Sequence, residues 1–169
     1  MKRRLIYLLC TLTGFVLLTL LIHSPSSRLT GYIINRKDER ILIQAETAKD
    51  LSSTGGVDTY YELIWFSNPP EPLEVGDKVD VYYDDTKKNY YPRRSTIKSF
   101  ETYTPKQPNH AKKNEKEVIQ TVFEQHKQHP ARLFVITSIN FNAETNNWTI
   151  KLVNVYSNQE KIVSVPDTL

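Results

Sequence analysis

The chain has 169 residues, 39% of them hydrophobic and 24% charged, with a single cysteine. That is enough for one ordinary domain or two very small ones, and it excludes wholesale disorder. Lys2, Arg3, Arg4 and Arg28 fall in residues 1–28 without any acid, leaving 18 bases and 19 acids in the rest. The folded portion therefore lacks the cation excess that displaces counterions from a polyanion, and nucleic acid is not an expected partner.

Leu5 to Ile22 is an uncharged run of 18 residues. As a helix it spans about 27 Å, close to the thickness of a hydrocarbon core. The cations before it place residues 1–4 in the cytoplasm and the remaining chain outside. This reads as a transmembrane helix or signal anchor in the cell membrane. The alternative is a cleaved signal, with Ser24-Pro25-Ser26 as a weak cleavage site and a secreted product. Cys10 lies inside the apolar run behind Leu9, which argues against lipidation, and leaves no cysteine downstream for a disulfide or thiolate metal site. Residues 23–28 read as a linker.

Strand-like patterning begins at Leu29. Thr30 to Lys37 and Arg40 to Ala45 are β-rich, and Asp38-Glu39 between them suits a tight hairpin. Tyr60 to Phe66 is dense in aromatic and β-branched residues. Asn68-Pro69-Pro70-Glu71-Pro72 ends it, because proline cannot donate to a ladder. In Lys78 to Tyr83, Val79, Val81 and Tyr83 alternate with Lys78, Asp80 and Tyr82, a half-buried strand. Ser95 to Tyr103 is a fifth strand. Five short strands in residues 29–104 predict an OB-like antiparallel barrel, with a small sandwich as the alternative. Residues 105–114 hold two prolines and read as a second linker. Asn114 is an N-cap candidate, followed by Glu115 and Glu117 in a first turn and an apolar stripe of Val118, Ile119, Val122 and Phe123. Lys127 and His129 are expected near the helix end, which Pro130 stops. Leu133 to Phe141, Trp148 to Tyr156 and Lys161 to Val165 then predict a three-stranded meander. Residues 115–169 form a small α+β extension, too short for comfortable independent folding and expected to dock on the barrel.

The pattern G-Y-I-I, R-I-L-I, Y-E-L-I-W-F-S, L-E-V-G-D-K-V-D-V-Y-Y and Y-Y-P across Thr30 to Ser99 resembles the YobA-like family of domains of unknown function, family 3221. The resemblance covers roughly residues 29–104. It implies an extracytoplasmic, barrel-like module of secreted or membrane-attached proteins in low-GC Gram-positive bacteria. It carries over no activity and no catalytic residue.

Few residues suggest chemistry. His126 and His129 are spaced three apart at the helix end, but without a third ligand nearby they read as polar end residues, not a metal site. Asp77, Asp80, Asp84 and Asp85 lack the regular spacing of a calcium loop and interleave with lysines, which suits a solvated strand edge. No serine-nucleophile or zinc-protease signature is present, and Asn147-Trp148-Thr149 reads as a strand start more than as a glycosylation site. No catalytic, cofactor-binding or metal residue is assigned and no cofactor is expected. The aromatics are the better lead. Tyr61, Leu63 and Trp65 share a face and suit a core, whereas Tyr60, Tyr82, Tyr90 and Tyr91 are candidate ligand-facing rings. Residues 29–104 carry 10 bases and 13 acids, which favours a glycan or protein ligand over nucleic acid. The expectation is a non-enzymatic binding or interaction module at the cell envelope. The alternatives are a secreted polysaccharide-binding protein and a hydrolase using Asp80 and Asp84.

Overall fold

A computed structural model describes residues 26–84, 90–129 and 131–168. The expected membrane span, residues 5–22, lies outside the described residues, among which no helix is long and apolar enough to cross a membrane. Eight strands and one α-helix are described: β1 (Ser27–Lys37), β2 (Arg40–Ala45), β3 (Leu63–Ser67), β4 (Lys78–Tyr83), β5 (Arg93–Thr102), α1 (Glu115–Gln125), β6 (Phe134–Asn142), β7 (Asn147–Asn154) and β8 (Glu160–Pro166). β1 thus starts two residues inside the stretch expected as a linker.

Strands β1 to β5 close into a barrel in the order β1-β2-β3-β5-β4. The chain is mainly β, as expected, but the barrel is not wholly antiparallel. β3 and β5 run parallel, with Ile64 opposite Arg93 and Phe66 opposite Ser95. Parity requires this: around a closed ring of five strands directions cannot alternate throughout, so at least one neighbouring pair must match. Period-two side-chain placement fills the interior. Leu29, Ile33, Ile41, Ile43, Ile64, Phe66, Val79, Val81 and Tyr83 form one buried cluster, closed at the β3–β4 connection by Leu73. Gly31 sits where β1 crosses closest to β2, since a Cβ there would fall 1.7 Å from the Gln44 carbonyl oxygen. Its place in the G-Y-I-I segment is a packing requirement.

The outer face of β1 to β3 is equally dry. Ile34, Leu42 and Leu63 point away from the barrel into a second cluster shared with Val118, Ile119 and Val122 of α1 and Trp148, Ile150 and Leu152 of β7. A bulge at Ile34, between the paired residues Ile33 and Asn35, gives β1 its local irregularity here. Burial of each such aliphatic side chain is worth about 1.5–3 kcal/mol, so the seam is a major part of the hydrophobic core. The β6-β7-β8 meander is antiparallel throughout.

Polar contacts fix the seam. The Gln44 side chain is fully buried; its amide nitrogen donates to the Ile136 carbonyl at 2.5 Å and its oxygen accepts from the Ile136 N–H at 2.8 Å. The Tyr32 hydroxyl donates to Glu115 at 3.1 Å, and Lys116 pairs with Asp77 at 2.9 Å. Asn114 forms the expected cap: its side chain accepts from the Glu117 N–H, and Glu117 accepts in return from the Asn114 N–H. The helix ends at Gln125, so Lys127 and His129 lie beyond it, and its last turn contains no basic residue. Pro130 is not among the described residues.

Candidate functional site

The seam between barrel and meander opens into a groove on the side of β3 and β5. Three of the four expected rings meet along it. Tyr60, held by a lone bridge to Lys49 instead of lying in β3 as expected, is 5.5 Å from Tyr91, centroid to centroid. Tyr91 in turn stands edge-on to Tyr156, centroids 6.5 Å apart at 85°. The Tyr91 hydroxyl donates to the Tyr61 carbonyl at 2.9 Å, which fixes its ring. Tyr90, the most exposed of the four at 44%, lies under the Arg94 guanidinium at 5.7 Å. Tyr82 is not part of this group. It projects from the outer side of β4, with Arg28 5.9 Å above its ring.

Tyr91 and Tyr156 are the common wall of two cavities. One, about 630 Å³, is lined by Val57, Asp58, Tyr60, Tyr61, Val153 and Glu160 among others. The second, about 620 Å³, is lined by Lys37, Arg40, Trp65, Tyr90, Arg94 and His129 among others. Arg40 lies 5.6 Å over the Trp65 ring, an arrangement that orients a guanidinium while leaving its N–H edge directed sideways. Burial pushes the phenols of Tyr91, Tyr60 and Tyr61 up, so they remain neutral hydroxyls at physiological pH. The floor is dry and aromatic and the rim polar, a composition suited to a ligand with apolar faces and hydroxyl edges. A third cavity, about 550 Å³, lies between β1 and α1, but its rim mixes charges of both signs and Phe123 is the only ring among its described lining residues.

The sequence patterns missed Tyr156, which sits in the β7–β8 turn. There the Asn154 side chain accepts from the N–H groups of Tyr156 and Ser157. No local signal links residue 156 to residue 91; only the docking of the meander brings them together. Trp65, expected as core, is half-buried and lines the groove. Arg94 had a signal, lying within three residues of Tyr91.

The carboxylates do not assemble into acid–base machinery among the described residues. Asp80 was expected on a solvated edge but is buried: it accepts from Arg28, Thr30 and the Tyr103 hydroxyl. Those donors, Arg28 foremost, hold its carboxyl down to about 2, so it carries no proton to donate near neutral pH. Asp84 is exposed and pairs with Lys98 at 2.5 Å. Asp77 is bound to Lys116, and Asp85 lies outside the described residues. Glu62, buried near Tyr60, is clamped between Lys49 at 2.5 Å and Arg93 at 2.6 Å. Among the described residues no group of three or more His, Cys, Asp or Glu side chains could hold a metal ion. His126 instead approaches Lys161 at 3.3 Å, and His129 accepts from the Ala131 N–H.

No curated protein and no solved structure matches this chain. Residues 30–102, which run from the fourth residue of β1 to the end of β5, match the family model described as a protein of unknown function (DUF3221). The similarity to that family covers the barrel, and the helix and meander lie beyond the matched segment.

Proposed function

We propose that the protein is a non-enzymatic glycan-binding module of the cell envelope, anchored by residues 5–22 with residues 1–4 in the cytoplasm and the barrel and meander outside. The observation that carries the binding reading is the line of rings Tyr60, Tyr91 and Tyr156 along an open seam. Aromatic faces set at fixed angles above a dry floor suit the C–H faces of sugar rings, and a preformed groove avoids the cost of ordering loops. The strand order with its parallel β3–β5 contact supports an OB-like assignment. OB-like barrels bind oligosaccharides and oligonucleotides on the β2–β3 face, between the β1–β2 and β4–β5 loops. The second cavity draws its lining from those places: Lys37 and Arg40 flank the β1–β2 turn, Trp65 is on β3, Tyr90 and Tyr91 lie in the β4–β5 connection, and Arg94 is at the start of β5. The saturated pairing of Glu62 and Asp80 supports binding over hydrolysis. Topology rests on the uncharged run behind Lys2, Arg3 and Arg4.

Two measurements test this reading. Protease added to protoplasts that express the full chain is expected to digest the C-terminal part from outside; protection of that part would reverse the topology. Retention of the full chain on isolated cell-wall polysaccharide is expected to fall about tenfold for Tyr91→Ala and for Tyr156→Ala, the scale of one stacked ring. Unchanged retention in both variants, with unfolding midpoints like the parent, would remove the groove from the reading.

A further inference from the structure

The groove is polarised in charge. The cavity on the Trp65 side carries Lys37, Arg40 and Arg94 and no carboxylate among its described lining residues. The cavity on the Tyr60 side carries Asp58 and Glu160 and no base among its own. Glu160 is paired with Lys151 at 2.7 Å, so Asp58 is the stronger negative element there. The Tyr91–Tyr156 pair divides the two. On the basic side the guanidinium groups of Arg40 and Arg94 lie over the rings of Trp65 and Tyr90. A stacked guanidinium is oriented in advance and has little rotamer freedom left to lose when it receives an oxyanion. Asp38 approaches Arg40 only at 3.7 Å on an exposed surface, a contact worth little against a bidentate ligand.

Building on the glycan reading above, we infer that the groove takes an acidic oligosaccharide: a sugar unit bearing a carboxylate or phosphate seats against Arg40 and Lys37 on Trp65, and a neutral unit continues past Tyr91 and Tyr156 toward Tyr60. The polarity selects among polyanions. A nucleic acid carries a phosphate at every nucleotide and would drive one against Asp58. A glycan with charge on some units and not on others matches both halves.

The test uses the full chain in detergent micelles against polygalacturonate, a phosphate-substituted mannan, neutral dextran and a single-stranded oligothymidylate. At least one acidic glycan is expected to bind about tenfold more tightly than dextran, and to weaken as salt rises from about 50 to about 500 mM while dextran does not. The two acidic arms identify carboxylate or phosphate as the recognised group. Arg40→Gln and Lys37→Gln are each expected to weaken acidic-glycan binding about three- to tenfold, more than they weaken dextran binding. Glu144→Gln, in the β6–β7 turn, is expected to change neither. Because Arg40 and Lys37 lie at the surface hairpin, unchanged unfolding midpoints will show that both variants fold. Equal affinity for dextran and the acidic glycans would overturn the charge inference and leave the glycan reading standing. Binding of no glycan would overturn both, and preference for the oligothymidylate would replace the glycan with a nucleic acid.

Discussion

Asp80 shows what one buried carboxylate does in this barrel. It lies beneath Arg28, Thr30 and Tyr103 and ties the first strand to the fourth and to the residue that follows the fifth. Its carboxyl is held from 3.8 down to about 2, first by the Arg28 hydrogen bond. The folded state therefore holds its proton less tightly than the unfolded chain. The resulting stabilisation is fully present above about 4 and is lost as pH falls through that value toward 2. Urea unfolding at a series of pH values is expected to show this acid-side loss, and Asp80→Asn is expected to flatten it. At neutral pH the same substitution is expected to cost about 1–2 kcal/mol, the lower part of the range for charged hydrogen bonds because the Arg28 side is open to water. An unaltered acid slope in the variant would assign the loss to other carboxylates. The alternation Lys78, Asp80, Tyr82 correctly put Asp80 opposite the barrel interior. What periodicity does not show is that Arg28 and Tyr103, 52 and 23 residues away, close over it.

Among the elements, α1 was the most legible from sequence. Asn114 and Glu117 have the spacing of a reciprocal cap, and the four apolar residues after them are all buried. Asn114→Ala is expected to cost about 1 kcal/mol by chemical denaturation, with Glu117→Ala partly reproducing the loss. A neutral outcome for both would mean that solvent caps the helix equally well. Strands β2 and β4 fall where alternation and β-branching put them, at Arg40–Ala45 and Lys78–Tyr83. The third strand begins three residues later than its aromatic content suggests, because Tyr60 and Tyr61 turn toward the meander instead of continuing the ladder with β2. Aromatic enrichment marks half-buried surface, and a docking seam offers that as readily as a strand does. The parallel β3–β5 pair has no local signature. It follows only once five strands are known to close on themselves.

For the whole molecule, the central question is whether barrel and meander unfold together. The shared cluster around Ile34, Leu42 and Leu63 and the Gln44 bridge to Ile136 both favour one transition. The chain contains a probe on each side: Trp65 in β3 and Trp148 in β7. Single-tryptophan variants, Trp148→Phe and Trp65→Phe, are expected to report denaturation curves of equal steepness that each agree with far-UV circular dichroism of the same variant. A Trp148 transition preceding the circular-dichroism curve would show that the meander detaches first. The groove was only partly legible at this scale: Tyr60, Tyr90 and Tyr91 were within reach of composition, whereas Tyr156 depends on how two sequence-distant units dock. The family match ends at residue 102, yet strands inside it bury side chains on both faces. A barrel cut at that boundary would expose Ile34, Leu42, Leu63 and the unmet amide of Gln44 as one sticky patch. In evolutionary terms the unit is a donor with an open slot: a chain that keeps this apolar face must bring its own cover or borrow a neighbour's, and whatever covers it supplies half the walls of the groove and so helps decide what the barrel can hold.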